Sequence, residues 1–551
     1  MKKLLMLALF IFASLTMTAC GGGGDSGEKK LNVMLGSNVV SLDTAQATDL
    51  VSFNVISDCI DGLMQLDAQG KAIPAIAESF DVSEDGKTYT FHLRDAKWAN
   101  GDAVTANDFV FAWRRHCKVS DKYSYVFGST VACVKNADAV IKGGDEKTLG
   151  VSAPDEKTLV VELDAPVSFF PSLMCFPAFY PINENFYNNL DAGTYGTSPE
   201  TFLSNGAFML TNYLPGSVNI QLEKNSSYWD AGRIALEKFQ YQVVSSSDNA
   251  LTAFKNGTLD VAQISGNQVE QVKADEKLSG DLKIIPTSLL NYMSFNQDPK
   301  NHHAGALSNT NLRLAISNAI DRESLAENYA MGGARATYTA VPIDFAPNVN
   351  TGKYFSEDQK QFADVVAFDV GKARSFLEDA KAELGKDNFE LNLIYSNDSG
   401  DTVVKVVQAI KSQVEKNLPG VTINLQPMPK AEYLNNVTSN NYDLAVTNWS
   451  PDYDDPMSFL TLWTTEGSEI AEHWSNAEYD SLIEACTTGD LAGKYDERWD
   501  AMLQAEKILL DNAVIAPLYT SSRSMLISDK VEGIEFHSIA VEQVLKSVTM
   551  K

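Results

Sequence analysis

The chain has 551 residues, more than one hydrophobic core normally organises, so two or more domains are expected. Hydrophobic residues make up 44% and charged residues 21%, which argues against a largely disordered chain. The formal net charge of -28 disfavours nucleic acid and anionic lipid surfaces as partners, because both would repel the chain.

The N-terminus has the pattern of a processing segment. Two lysines precede an almost wholly apolar run, Leu4 to Thr18, which is too short for a relaxed membrane span and fits a signal h-region. Small residues, Cys20 and a Gly/Ser-rich stretch follow, and this order resembles a bacterial lipoprotein signal. The resemblance implies that residues 1–19 are a signal peptide, that Cys20 is lipidated and that residues 20–30 are a flexible tether. An ordinary secretory signal and an uncleaved anchor are the alternatives.

Five more cysteines are scattered along the chain: Cys59, Cys117, Cys133, Cys175 and Cys486. None belongs to a C-x-x-C motif, so the common zinc and thioredoxin patterns are absent. A bridge between Cys117 and Cys133 would close a short loop and stabilise the fold by about 3 kcal/mol. Five buried thiols are the alternative.

Periodic segments follow the tether. The alternation in Thr88 to Leu93 predicts a strand with one buried face, and Thr158 to Leu163 predicts a second strand. Apolar residues at helical spacing between Leu312 and Ile320 predict a helix with one buried face. Asp321 is then expected to cap a further helix that begins near Arg322.

Strands and helices alternate between Phe389 and Asp455. The predicted order is strand Glu390–Tyr395, a helix with an apolar face from Val403 to Val414, strand Val421–Leu425, helix Lys430–Val437 and strand Tyr442–Val446. Such alternation predicts a largely parallel sheet, whose ligands sit beyond the carboxyl ends of the strands. Trp449 to Pro456 follows the last strand and brings an aromatic ring and three carboxylates to this expected crevice.

Catalytic and metal-binding motifs are missing. The sequence has no G-x-S-x-G, H-E-x-x-H or P-loop motif, so no catalytic residue, cofactor or metal site is predicted, and an enzyme is disfavoured. His302-His303 lies in a polar stretch and is interpreted as part of a solvated loop. The acidic run from Asp452 to Asp455 lacks the glycine and the closing Glu of a calcium-binding EF-hand loop.

Several blocks of sequence, in order, closely resemble the family 5 extracellular solute-binding proteins, in particular the oligopeptide-binding branch. They are Ala77–Phe80, Asp85–Arg94, Trp98–Val110, Asn205–Phe208, Asn225–Trp229, Gly257–Asp260, Arg313–Arg322 and Trp449–Pro456. The resemblance covers essentially the whole mature chain. It implies an α/β fold of the type II periplasmic-binding-protein class, with two hinged lobes and an extra domain inserted in the first lobe. The implied boundaries are 31–60, 204–288 and 521–551 for lobe 1, 61–203 for the extra domain and 289–520 for lobe 2.

The resemblance also implies binding residues. Asp452 matches the family aspartate that pairs with the α-ammonium of a peptide, with capping of the turn after Trp449 as the alternative. Tyr123 aligns, through a variable loop, with a tyrosine that lines the ligand cavity. Trp449 is a candidate pocket wall and Tyr519 a candidate ligand residue near the hinge, and core packing is the alternative for both. The strand Tyr442–Val446 lacks arginines that some relatives aim at the peptide carboxylate, which leaves recognition of that end open.

The resulting hypothesis is a non-enzymatic, monomeric lipoprotein that captures oligopeptides outside the cytoplasm and delivers them to an ABC importer. Its transmembrane subunits and ATPases would be separate chains, and the membrane would be reached only through the lipid on Cys20. One alternative keeps the fold but changes the ligand to a metal chelate, haem or oligosaccharide. Another is a surface lipoprotein in signalling or adhesion.

Overall fold

The computed structural model describes residues 30–551, except 121, 301–303, 349, 360–362, 398–400 and 466–472. The predicted signal peptide, Cys20, nearly all of the tether and His302-His303 therefore lie outside the described residues. Within the described ranges, no helix combines the length and the apolar character needed to cross a membrane.

The described residues form short and long strands throughout the chain. In chain order they are β1 (Leu31–Leu35), β2 (Met64–Leu66), β3 (Ala72–Pro74), β4 (Ala77–Val82), β5 (Thr88–Leu93), β6 (Val151–Asp155), β7 (Thr158–Glu162), β8 (Phe208–Asn212), β9 (Asn219–Lys224), β10 (Lys238–Val243), β11 (Val261–Ile264), β12 (Leu282–Phe295), β13 (Arg335–Ala336), β14 (Phe389–Ser396), β15 (Val421–Met428), β16 (Leu444–Trp449), β17 (Ile515–Ile527), β18 (Val531–Glu532), β19 (Glu535–Phe536), β20 (Gln543–Val544) and β21 (Thr549–Met550).

The α-helices alternate with these strands. In chain order they are α1 (Leu50–Cys59), α2 (Ala106–Val119), α3 (Ala137–Ile141), α4 (Phe170–Leu173), α5 (Glu184–Asn188), α6 (Ser247–Lys255), α7 (Asn267–Ala274), α8 (Thr310–Asn318), α9 (Arg322–Leu325), α10 (Phe355–Asp358), α11 (Val370–Leu384), α12 (Asp401–Asn417), α13 (Lys430–Thr438), α14 (Met457–Leu460), α15 (Ala477–Thr487) and α16 (Tyr495–Asp511).

One mixed sheet of eleven described strands runs through the molecule in the order β15-β14-β16-β12-β17-β11-β1-β10-β9-β8, with β13 added against β17. The late strand β17 lies between β12 and β11, so the chain crosses from one half of the sheet to the other more than once. A separate antiparallel sheet, β4-β5-β7-β6, lies inside the range 61–203 predicted for the extra domain. The domain boundaries themselves stay a prediction.

The antiparallel pair β12 and β17 joins the two halves of the main sheet. With 14 and 13 residues they are by far the longest strands described, and β12 extends over about 45 Å. Their ladder slips between Pro286 and Leu290, which face Ser522 and Thr520, so three residues of β12 oppose one residue of β17. A bulge of this kind interrupts the ladder and bends the strands.

The predicted strand–helix alternation is confirmed, because β14 pairs in parallel with both β15 and β16. The last strand begins at Leu444 rather than Tyr442. The physical reason is Asp443, whose carboxylate, instead of a backbone carbonyl, accepts the N–H of Asn392 at 2.8 Å.

Other local predictions are also confirmed. In β5, Tyr89, Phe91 and Leu93 are buried on one face. The predicted second strand is β7, and the helix predicted from Leu312 to Ile320 is α8, which ends two residues earlier, at Asn318. Asp321 caps α9 by accepting the N–H of Ser324 at 3.0 Å. The five described cysteines are buried free thiols. The alternative of five buried thiols is therefore confirmed, and Cys117 and Cys133 are not bridged.

Candidate functional site around Asp452

Two cavities of about 590 and 710 Å³ meet at the carboxyl end of β16. Tyr125, Trp449 and Asp452 line both of them. The smaller cavity is otherwise lined mainly by threonines and apolar side chains of the region after Asp452. The larger one continues over the bulge of β12 and β17, where it is lined by Thr287, Leu289 and Ser521 among others.

The chain holds Asp452 in place through its neighbours. Strand β16 ends at Trp449, and the backbone N–H of Asp452 donates to Ser458 Oγ at 3.0 Å. Asp455 is fixed by Arg498, which donates from Nη1 and Nη2 to its two carboxylate oxygens at 2.7 and 2.8 Å. The loop is therefore anchored on both sides of Asp452, and the Asp452 carboxylate remains directed at the junction of the cavities.

The electrostatics of Asp452 favour a positively charged guest. Its Oδ2 accepts a hydrogen bond from the hydroxyl of Tyr125, and no Lys, Arg or His of the described residues forms an ion pair with it. Burial raises the pKa of Asp452 to about 6, and the bond from Tyr125 opposes this shift. Burying a charged carboxylate that has no cationic partner costs free energy. A guest with a positively charged group would remove this cost.

Tyr123 and Tyr125 both lie at the cleft, with different neighbours. The ring of Tyr123 packs against Phe53 and Phe176, with ring centroids 5.7 and 5.3 Å apart, and it lines the larger cavity. Tyr125, which the sequence analysis missed, reaches Asp452. The two tyrosines flank Ser124, and an alignment through a variable loop cannot separate them. Only the fold determines which hydroxyl meets the carboxylate.

Trp449 lies at the cleft, whereas Tyr519 is packed in the hydrophobic core. Trp449 is half-buried, its Nε1 donates to the carbonyl of Ser458 at 2.9 Å, and its ring lines both cavities. Tyr519 is 5% exposed, pairs with Asn291 of β12 and belongs to the hydrophobic core around α8. It lines neither cavity, so Asp452, Trp449 and Tyr123 come together while Tyr519 does not.

Two cations line the larger cavity, which the sequence did not predict. Lys122 lies next to Tyr123, and Arg523 lies on β17. Arg523 donates to the carbonyls of His537 and Glu542 at 2.9 and 3.1 Å, and its Nη2 is 3.5 Å from Glu542 Oε1. No motif marks these residues, because they are about 400 positions apart and only the fold brings them to one cavity.

Metal binding at the acidic run has no geometric support. Asp452 meets Tyr125, whereas Asp455 pairs with Arg498, so the carboxylates diverge. In the part of the chain that the structure describes, no group of three or more His, Cys, Asp or Glu side chains is arranged to hold a metal ion.

Comparison with known proteins identifies the family. Residues 71–469 match the model of the bacterial extracellular solute-binding proteins, family 5 Middle. The chain belongs to that family. As a family 5 member it has the type II periplasmic-binding-protein fold, with two hinged lobes and an extra domain inserted in the first, as the sequence predicted.

Relatives of this family 5 protein match over nearly their whole length. A dipeptide-binding protein of Lactococcus lactis subsp. cremoris is 30% identical over 100% of this chain and 99% of its own. The oligopeptide-binding protein OppA of Bacillus subtilis is 31% identical over 97% of both chains. The structure of Listeria monocytogenes OppA bound to peptide is 30% identical, has a TM-score of 0.77 and covers 95% of this chain and 99% of that one.

Proposed function

We propose that this protein binds oligopeptides with a free amino terminus between its two lobes and delivers them to an ABC importer. In this proposal Asp452 neutralises the α-ammonium, and Tyr125, Tyr123 and Trp449 line the space around the first residue. The protein carries out no chemistry of its own. The names of the relatives, dipeptide- and oligopeptide-binding proteins, support this ligand class.

The observation that carries the proposal is the state of the Asp452 carboxylate. It lies at the junction of two cavities, accepts a hydrogen bond from a neutral hydroxyl and from no other described side chain, and its pKa is raised to about 6 by burial. An ammonium group supplies both the missing charge and hydrogen-bond donors. Removing one partner of such an enclosed pair typically costs about 2–5 kcal/mol.

The larger cavity also offers countercharges for the other end of a peptide. Lys122 and Arg523 line it together with Asp452, so a bound peptide would run from the carboxylate of Asp452 towards these cations, of which Arg523 already lies 3.5 Å from Glu542 Oε1. This arrangement supports recognition of the α-carboxylate of a short peptide, which the arginine-free strand β16 does not provide. Trp449 and Leu290 lie side by side at the end of the β16 ladder, where an extended guest could add backbone hydrogen bonds.

Closure of the lobes provides the mechanism of capture. The proposed lobe boundaries, at 288/289 and 520/521, coincide with the slipped ladder of β12 and β17, and we assign the hinge to this bulge. A ligand that touches both lobes only when they are closed shifts the population towards the closed form. The closed form then presents its surface to the permease.

The proposal includes the location and the partners of the protein. Lipidation of Cys20 after removal of residues 1–19 would hold the protein on the outer side of a bacterial membrane, with residues 20–30 as tether. The protein would act as a monomer. The transmembrane subunits and the ATPases would be separate chains.

Calorimetry with matched peptides tests the proposal. A short peptide with a free amino terminus should bind at least about 30-fold more tightly than its N-acetylated form, because acetylation removes the charge that faces Asp452. The Asp452→Asn variant should lose this difference, whereas Asp511→Asn, which removes a carboxylate paired with Lys507 on α16, should keep it. Equal binding of both peptide forms to the unmodified protein, or a haem, metal chelate or oligosaccharide found as retained cargo by native mass spectrometry, would contradict the proposal.

A further inference from the structure

A third cavity, of about 930 Å³, lies on the other side of the segment that carries Asp452. Its wall is rich in aromatic rings, contributed by Phe169, Phe345, Tyr354, Tyr495, Trp499 and Phe536. The stacked rings of Phe169 and Tyr453, with centroids 4.5 Å apart, stand between this cavity and the cleft at Asp452. No part of the function proposed above uses this space.

The carboxylate of Asp454 lines this third cavity without a cationic partner. The two other carboxylates on its wall are each neutralised, Asp455 by Arg498 at 2.7 Å and Asp344 by Arg335 at 2.5 Å. Asp454 accepts the backbone N–H of Ala346 but forms no ion pair with any basic side chain in the described ranges.

The environment of Asp454 resembles that of Asp452. Burial first, and then the charge of Asp455, raise the pKa of Asp454 to about 6. Lys71 also lines the cavity, but it is exposed on the turn between β2 and β3 and does not pair with Asp454. The cavity therefore presents one uncompensated carboxylate surrounded by aromatic surface.

His537 connects the third cavity with the cleft. Together with Ser538 and Ile539 it lines both the 710 and the 930 Å³ cavity. The side chain is 5% exposed, and its Nε2 has no hydrogen-bond partner among the described residues. An extended guest that leaves the cleft at this point would give Nε2 the partner that the protein does not provide.

We infer that the 930 Å³ cavity binds a basic side chain, Lys or Arg, of a peptide whose amino terminus lies at Asp452, with Asp454 as its countercharge. His537 contacts the peptide backbone where it passes from one cavity to the other. This inference rests on the proposed function and adds a substrate class to it: oligopeptides with a basic residue at a defined distance from the amino terminus.

The chemistry of the wall fits such a side chain. Aromatic faces attract a guanidinium or ammonium group, and Arg also stacks on them, so rings and carboxylate act on the same cation. The apolar stem of Lys or Arg covers aromatic surface on the way to the carboxylate. An apolar guest residue would leave Asp454 enclosed without a partner, and an acidic one would be repelled by it.

An arginine scan tests the inference on the full protein. Six-residue alanine peptides with a free amino terminus, each with one arginine at a position from the second to the sixth, are titrated by calorimetry. We expect one or two positions to bind about tenfold more tightly than the all-alanine peptide. This advantage should disappear in Asp454→Asn, which leaves the aromatic wall intact, and should persist in Asp344→Asn, which removes a carboxylate already neutralised by Arg335.

Other outcomes would overturn the inference. A scan without a preferred position, or a preference that Asp454→Asn retains, means that the cavity does not select a cation. Loss of folding as the cause is checked by thermal unfolding of the empty variant, which should be at least as stable as the parent because an unpaired carboxylate has been removed. A flat scan in a protein that still discriminates against acetylated peptides refutes this inference alone, whereas insensitivity to acetylation refutes the proposed function.

Discussion

Three carboxylates close together in the chain have three different environments. Asp455 is enclosed with Arg498, whereas Asp452 and Asp454 face cavities on opposite sides of Tyr453 and form no ion pair with a described basic side chain. The pKa values of both unpaired groups are raised to about 6, with burial as the main cause. Because the fold bears this cost in the empty protein, the two side chains are expected to be neutralised by a ligand.

The raised pKa of Asp452 predicts the pH dependence of peptide affinity. A bound ammonium would favour the charged carboxylate, so binding below the free-state pKa of about 6 must expel a proton, and affinity should fall about tenfold per pH unit there. Affinity should also fall above about pH 8, where the α-amino group of the peptide loses its charge. Calorimetry at a series of pH values measures both decreases, the acid limb below about pH 6 and the alkaline limb above about pH 8. Asp452→Asn should bind more weakly and lose the acid limb.

The hydroxyl of Tyr125 should affect the pH at which peptide affinity begins to fall. Its hydroxyl stabilises the charged form of Asp452, so Tyr125→Phe should raise the pKa of Asp452 and move the acid limb to higher pH. Tyr123→Phe is the matched comparison, because the ring of Tyr123 packs against Phe53 and Phe176 and its hydroxyl does not bond to Asp452. An acid limb that stays in place in Tyr125→Phe would contradict the role given to this hydroxyl.

At the scale of single elements, local periodicity in the sequence predicted several strands and helices correctly. Strands β5 and β7 and the helices α8 and α9 follow alternation, apolar spacing and capping, which are properties of neighbouring residues. The beginning of β16 was misplaced because Asp443 substitutes its carboxylate for backbone pairing with a strand some 50 residues away.

The sequence predicted residues of the site only where they belong to one contiguous motif. The block Trp449–Pro456 pointed to Asp452, which the fold brings to a cleft. Lys122, Arg523 and His537 belong to no pattern, because they come from segments far apart in the chain and only the fold brings them to one cavity. Tyr519 lies on β17, the strand that crosses the proposed hinge, yet its side chain packs into the core. The register of the bulged ladder between β12 and β17 determines which face of the strand it occupies.

Helix α16 carries a buried group whose effect on stability should depend on pH. Glu506 is fully buried, and its Oε1 accepts the backbone N–H groups of Ala340 and Val341 at 2.5 and 3.2 Å. Its Oε2 has no partner within the described residues, and burial raises the pKa of Glu506 to about 8. The group is therefore protonated in the folded protein at neutral pH and ionised in the unfolded chain.

This difference determines the sign of the effect. Between the unfolded pKa of about 4.3 and the folded pKa of about 8, unfolding releases a proton, so the free energy of unfolding should decrease as pH rises. Glu506→Gln keeps the acceptor for both N–H groups and cannot ionise. We expect this variant to be about 3–4 kcal/mol more stable than the parent at pH 7 and nearly equal to it below about pH 4. Denaturant unfolding across this range measures the difference, and parallel pH curves for both proteins would show that Glu506 ionises normally in the fold.

At the scale of the whole molecule, the described contacts between the range predicted for the extra domain and the range predicted for lobe 2 include two beside Asp452. Tyr125 bonds to Asp452, and Phe169 stacks on Tyr453 with an interplanar angle of 10°. Both would break if the lobes open about the proposed hinge, the bulge of β12 and β17. On the proposed mechanism we expect them to stabilise the closed form before a ligand binds, and so to increase the fraction of molecules that is ready to hold one.

Phe169→Ala should consequently weaken binding without removing a contact to the first residue of the ligand. An aromatic pair contributes about 0.5–1.5 kcal/mol, and loss of closed population raises the apparent Kd in proportion, so affinity for an all-alanine peptide should fall about 2- to 10-fold. Small-angle X-ray scattering of the empty variant should give a larger radius of gyration than the parent, and saturating peptide should abolish the difference. Phe111→Ala is the matched control, because it removes a ring that packs on Tyr187 within the range of the extra domain. Equal loss of affinity in both variants would attribute the effect to general destabilisation and not to the closed form.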